Sequence, residues 1–149
     1  MRCVVQRVTE ARVTVDGETV GEIGPGMVAL IGVSTEDTEK DFQYIAEKTM
    51  NLRIYDDENG VMNRSIRDVG GAILAVSQFT LYGDARGGRR PSYFRAAKPE
   101  IANGMYERLI AFWRQQGIPV ETGRFRAEMK VSLVNDGPVT ILLDSEKAF

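Results

Sequence analysis

Hydrophobic and polar positions alternate from the first residues of the chain. Residues 2–9 and 11–16 read as strands, with Val13 and Val15 set against Arg12 and Thr14. Asp16-Gly17 marks a tight hairpin, because glycine accepts the positive φ that such turns need. Glu18–Ile23 is the return strand. Gly24-Pro25-Gly26 is a second turn, and Met27–Val33 is an apolar run that extends the meander. The period then changes. Phe42, Ile45, Ala46 and Met50 fall at helical spacing, which predicts a helix from about Asp37 to Leu52, with acids in its first turn. Leu52–Tyr55 reads as a short strand and residues 56–60 as a solvated turn. Ala72–Phe79 is continuously apolar behind Gly70-Gly71, the signature of a strand covered on both faces.

A polar, glycine-rich, basic loop over Gly83–Lys98 leads into a second predicted helix, from about Pro99 to Gln116. Ile101, Met105, Leu109, Phe112 and Trp113 form its apolar stripe. Met129, Val131 and Leu133 alternate with Lys130 and Ser132 as a late strand. Asn135–Pro138 reads as a turn, and Val139–Leu143 as the last strand. With no repeat, linker or low-complexity segment, the expectation is a single α+β domain over residues 1–149. It should be a mostly antiparallel sheet or partial barrel with two main helices.

Composition changes this picture at few points. At 149 residues the chain can bury a sizeable core without staples. Its net charge of -2 announces no nucleic-acid partner, so any RNA contact must be local. The single cysteine, Cys3, excludes an intrachain disulfide and a paired-cysteine metal site, and reads as a buried structural thiol. MRCVVQRV alternates instead of forming an apolar leader segment. No run approaches the roughly 18 apolar residues of a membrane span. A cytoplasmic protein with no membrane association is expected.

The most informative count is zero histidines. It removes Ser–His–Asp and Cys–His catalysis and every histidine-ligated metal, so any enzyme here transfers protons without imidazole. No metal and no cofactor is expected.

Three constellations could carry chemistry. In Ser77-Gln78-Phe79-Thr80-Leu81, hydroxyls and an amide appear abruptly where a buried strand emerges, a rigid mount for polar groups. Taken alone it reads first as a strand ending in polar residues. Asn135-Asp136-Gly137-Pro138-Val139-Thr140 reads on spacing as a hairpin turn, although Gly137 permits unusual angles and Pro138 permits a cis bond. The stretch 86–98 holds Arg86, Arg89, Arg90, Arg95 and Lys98 with no acid among them and with Tyr93 and Phe94 interleaved. It is either a solvated basic loop or a surface for phosphates and a stacked base. Arg7, mid-strand between apolar residues, needs a partner.

With these residues on the page, the whole chain resembles the bacterial D-aminoacyl-tRNA deacylase family, of the D-Tyr-tRNA deacylase type. The likeness rests on VVQRV at the start, SQFTL at Ser77–Leu81, RRPSYFRAAKP before the second helix, and FRAEMKVSLVNDGPVT over Phe125–Thr140. Arg126 departs from it, standing where a small residue, often glycine, is expected.

The resemblance implies a homodimer with active sites at the interface and aminoacyl-tRNA as the partner. Gly137-Pro138 would be a cis pair reaching into the partner's pocket. Its carbonyls would hold the substrate's α-amino group, leaving room for hydrogen or a D side chain and none for an L side chain. Glycyl-tRNA would then also be accepted. The ester is activated and the neighbouring ribose hydroxyl can relay a proton, so the protein need only position the ester, supply oxyanion donors and admit water. Backbone N–H groups around Gln78 and Phe79 are the expected donors, with Ser77 in the same segment. Thr80 is expected to support the site rather than act as nucleophile. Phe79 and Met129 would wall the pocket, Arg7 would anchor the Gly-Pro loop, and Arg86, Arg89, Arg90 and Arg95 would meet tRNA. The alternative is a non-catalytic nucleic-acid-binding dimer using the basic loop.

Overall fold

A computed structural model describes residues 1–149. Its frame is one long strand, β1 (Arg2–Val15), flanked along its whole length. On one edge, β3 (Gly26–Gly32) pairs with its first half and β2 (Glu18–Ile23) with its second. On the other edge runs β8 (Lys130–Asp144), also antiparallel. β3 then pairs in parallel with β6 (Ala72–Ser77), and β6 in parallel with β7 (Val120–Thr122). The sheet is thus mostly antiparallel with a parallel flank, because two helical crossovers return the chain in the same direction. These are α1 (Glu39–Asn51) and α2 (Pro99–Gln115). A small hairpin, β4 (Tyr55–Asp56) with β5 (Met62–Arg64), projects from the first crossover. The long sheet curls until β2 approaches β7. A Cβ on Gly21 would stand 2.2 Å from the Thr122 carbonyl oxygen, so the near-closure of this partial barrel uses the absence of a side chain there.

Most expected elements are present, with instructive differences: the strands expected over residues 2–9 and 11–16 are one strand, the strand expected over Leu52–Tyr55 is instead Tyr55–Asp56, and β5 and β7 carry no signal that the sequence reading used. Asp16 and Gly17 both have positive φ, 50° and 80°, as a two-residue hairpin demands. β6 alternates between two cores. Ile73 and Ala75 join the larger one under the helices, and Leu74 and Val76 join the smaller one inside the curl, so both faces are covered. On α2 the buried face is Ala102, Tyr106, Leu109, Ile110 and Trp113. The expected stripe was rotated by about one residue. Ile101 is 59% exposed, and Met105 and Phe112 lie half-buried on the flank. Tyr106 and Trp113 fix the rotation, donating hydrogen bonds to the carbonyls of Ala75 (2.7 Å) and Ala46 (3.0 Å). Cys3 is fully buried and its thiol is pushed up to about 12 by desolvation, the state of an inert structural thiol.

The largest departure concerns the end of the chain. No hairpin turn separates two strands at Asn135–Pro138; both flanks belong to β8 and run along β1. An uninterrupted ladder from Gln6 opposite Thr140 would set Val8 opposite Pro138, but Val8 meets Asn135. The surplus residues form a bulge on an edge strand. A turn and a bulge share residue types, and only the partner strand decides between them.

Candidate active site

β6 ends at Ser77 and the chain turns at once into a 3-10 turn, Phe79–Tyr82. A cleft of about 690 Å³ opens at this point. Ser77, Gln78 and Phe79 form one side and Phe125, Met129 and Val131 another, with Tyr93, Ala97 and Ala102 completing the wall. Phe79 meets the Tyr93 ring edge-to-face at 5.1 Å, and Phe125 stacks on Tyr106 of α2 at 6.3 Å, so both walls are braced by a second ring. The expected wall residues Phe79 and Met129 are therefore together. Tyr93, Ala97, Ala102 and Phe125 were not singled out by sequence as cleft residues. They come from three separate segments, and their only sequence signal is a small or aromatic residue beside a motif.

The hydrogen bonds sharpen the expected roles. The Gln78 backbone N–H is donated to the Ile31 carbonyl at 2.7 Å, continuing the sheet, so it is no free oxyanion donor. The first bond of the 3-10 turn is Leu81 N–H to the Gln78 carbonyl, 3.2 Å. The N–H groups of Phe79 and Thr80 stand ahead of it, outside the turn's own ladder. The Gln78 side-chain amide donates to the Thr80 hydroxyl. Thr80 itself does not line the cleft.

Gly137-Pro138 lies elsewhere, on the β8 bulge, and does not line this cleft. Its peptide bond is cis and Gly137 has φ 129°, a region that favours glycine. A Cβ there would stand 2.8 Å from the Val139 side chain and 3.0 Å from the Arg7 guanidinium. Arg7 finds the partners its mid-strand position calls for. It donates to the Asp136 carbonyl (3.0 Å) and the Ile54 carbonyl (2.7 Å), between the carboxylates of Asp56 (3.5 Å) and Asp136 (3.6 Å). Asn135 spans the bulge from inside. Its side chain accepts from Val139 N–H (2.8 Å) and donates to the Thr140 hydroxyl (3.1 Å).

The basic loop divides into two kinds of arginine. The Asp84–Ser92 bridge closes its base. Arg86 is held bidentate by Asp84, whose carboxyl drops well below its ordinary range because of that hydrogen-bonded partner. Arg95 pairs with Glu146 (2.6 Å) and Glu36 (3.5 Å). Arg89 and Arg90, exposed between the two ends of the Asp84–Ser92 bridge, make no ion pair, and Phe94, further along the segment, is 90% exposed. Arg126 lines the cleft in a left-handed conformation, φ 65°. That explains physically why a glycine would suit the position, since a non-glycine residue there costs about 1–2 kcal/mol. No group of histidine, cysteine, aspartate or glutamate is arranged to hold a metal ion. No helix is long and apolar enough to cross a membrane.

An α+β partial barrel, with a polar motif at a strand end opening on an apolar cleft, is the class of protein these features define. The sequence pattern of the D-Tyr-tRNA(Tyr) deacylase family matches residues 4–144, and the chain belongs to that family. It is 62% identical over 149 residues to the D-aminoacyl-tRNA deacylase of Symbiobacterium thermophilum, covering 100% of this chain and 99% of the relative. It is 56% identical to that of Thermosipho africanus, covering both chains fully. Among solved structures, a c-Myc DNA unwinding element binding protein superposes with a TM-score of 0.92 at 42% identity, covering 97% of this chain and 98% of that one. A probable eukaryotic D-amino acid tRNA deacylase, at 17% identity and TM-score 0.81 over 96% and 98% of the two chains, shares the fold.

Proposed function

We propose that this protein hydrolyses the ester bond of D-aminoacyl-tRNA, releasing free tRNA and the D-amino acid, and that it does so as one domain in the cytoplasm. The observation that carries the reading is the cleft at the end of β6, with unladdered N–H groups at its rim and no histidine in the chain. An aminoacyl ester needs little activation. Water attacks the carbonyl carbon, the developing oxyanion is met by the N–H group of Phe79, and the vicinal ribose hydroxyl moves the proton to the leaving oxygen. Ser77 and the Gln78 amide position the ester. Thr80 holds the Gln78 amide and acts as a support, which agrees with its place outside the cleft wall.

Chiral selection falls to Gly137-Pro138, presented to the cleft of a second copy. What supports this is that the pair stands off its own cleft, on an edge strand whose outer edge is open and on which Val134 and Leu142 are about half exposed. A two-fold dimer built along β8 makes each site from both protomers. The carbonyls of the pair take the α-amino group, and the space beyond the α-carbon admits hydrogen or a D side chain, so glycyl-tRNA is also a substrate.

Deacylation of matched D-, L- and glycyl-tRNAs by the purified dimer tests the reading. Rapid release from D-aminoacyl- and glycyl-tRNA with L-aminoacyl-tRNA intact is expected. A second reading, a non-catalytic nucleic-acid-binding dimer, draws on the unpaired Arg89 and Arg90 and on exposed Phe94 in the same basic segment. Tight nucleic-acid binding with no ester hydrolysis would favour it.

A further inference from the structure

The cleft carries a charge pattern that the catalytic reading does not use. Two of its lining residues are cations, Lys98 and Arg126, and none is an acid; most of the rest are apolar. Both cations are exposed, and neither makes an ion pair or a side-chain hydrogen bond within the chain. This sets them apart from Arg86 and Arg95, whose charges are already met by acids. Arg126 is also held in the left-handed region at φ 65°. A strained non-glycine residue carrying an unmatched charge into a cleft is an outlier that stability does not account for.

We propose that Arg126, with Lys98, is a substrate-binding pair that grips the first phosphodiester of the tRNA 3′ end. The proposal rests on the deacylase reading and names which part of the substrate these residues take. The scissile ester sits on the terminal ribose. The first phosphate is only one ribose away, so it must lie at the mouth of any cleft that holds the ester. An apolar cleft with two unmatched cations and no acid suits a nucleoside body with its phosphate at the rim. A guanidinium can also take two phosphate oxygens at once. The paired arginines of the basic loop are poorer phosphate ligands, since they must first leave their carboxylates.

The test compares wild type with Arg126→Gly, Arg126→Lys and Lys98→Ala. Glycine accepts φ 65° without strain, so Arg126→Gly keeps the fold, with a Tm equal to or above wild type. It should raise the Kd for deacylated tRNA roughly tenfold at moderate salt. It should also lower the slope of log Kd against log salt by about 0.7, the share of one single-strand phosphate. Lys98→Ala should act in the same direction, and Arg126→Lys should keep the slope. Hydrolysis of D-aminoacyl-adenosine, which carries no phosphate, should fall far less than tRNA binding in every variant. An unchanged Kd and salt slope in Arg126→Gly would overturn the proposal, as would an equal loss on D-aminoacyl-adenosine. Wild-type protein that binds tRNA but hydrolyses no D-aminoacyl ester would overturn the deacylase reading instead, while the Kd measurements still judge the phosphate grip.

Discussion

The cleft at the end of β6 and the Gly-Pro bulge on β8 are built on opposite principles. β6 is covered on both faces, and its cleft is walled by rings that brace one another. The bulge sits on an edge strand and has almost no packing of its own. Instead a few directed bonds, from Arg7 and Asn135, fix its backbone. Packing tolerates small losses, because many weak contacts share the load. A segment held by two or three hydrogen bonds does not, because each bond fixes a specific atom. The difference suits the division of labour proposed above: the cleft holds the nucleoside and ester, and the bulge measures one stereocentre.

The sharpest way to break this comparison is Gly137→Ala. The added methyl meets Val139 and Arg7 and occupies a φ that L residues avoid. Local strain of about 1–3 kcal/mol should displace the bulge while the cores are untouched. We expect deacylation of D-aminoacyl-tRNA to fall at least 100-fold in a protein whose circular dichroism and oligomeric state match wild type. Activity within threefold of wild type would show that the bulge does not measure the substrate.

Arg7→Lys comes next. Lysine keeps the charge but not the fork that reaches two carbonyls at once. A loss of about 10- to 100-fold in kcat/KM is expected, with a lower ratio of D to L hydrolysis. If the ratio holds and only Tm falls, Arg7 is merely structural.

Thr80→Ala tests the cleft side. As a support for the Gln78 amide it should cost no more than about tenfold in single-turnover rate. A folded but inactive variant, or an acyl-enzyme trapped on Thr80, would make it the nucleophile. The smallest effect should come from Arg89→Ala with Arg90→Ala. These unpaired tip residues should raise KM and flatten its salt dependence, with little change in single-turnover rate. An unchanged salt slope would place the tip away from phosphate.

Much of the fold was legible along the chain because its signals are local. Alternation marked β1, an apolar run between turns marked β3, φ-permissive residues marked the Asp16-Gly17 hairpin that returns as β2, and helical spacing marked α1. The SQFTL segment was placed at a strand end because a covered strand cannot turn polar without leaving the core. The α2 stripe was legible only to within one residue, since its rotation is set by hydrogen bonds from Tyr106 and Trp113 to distant carbonyls.

What the sequence by itself determined, then, is most of the longer elements and the motifs at their ends: one buried strand, two helices, a basic loop and a glycine-proline pair, while the short strands β5 and β7 were not read from it. Only the tertiary structure decided how those motifs are used. It made NDGPVT a bulge because β1 continues past it on both sides. It spent the Gln78 N–H on Ile31 and left the N–H groups of Phe79 and Thr80 outside the ladder. It neutralised Arg86 and Arg95 and left Arg89 and Arg90 bare at the loop tip, while Lys98 and Arg126 came to line the cleft. The physical reason is range. Periodicity and turn preference act over a few residues, whereas whether a donor or a charge is free depends on partners brought near from far along the chain.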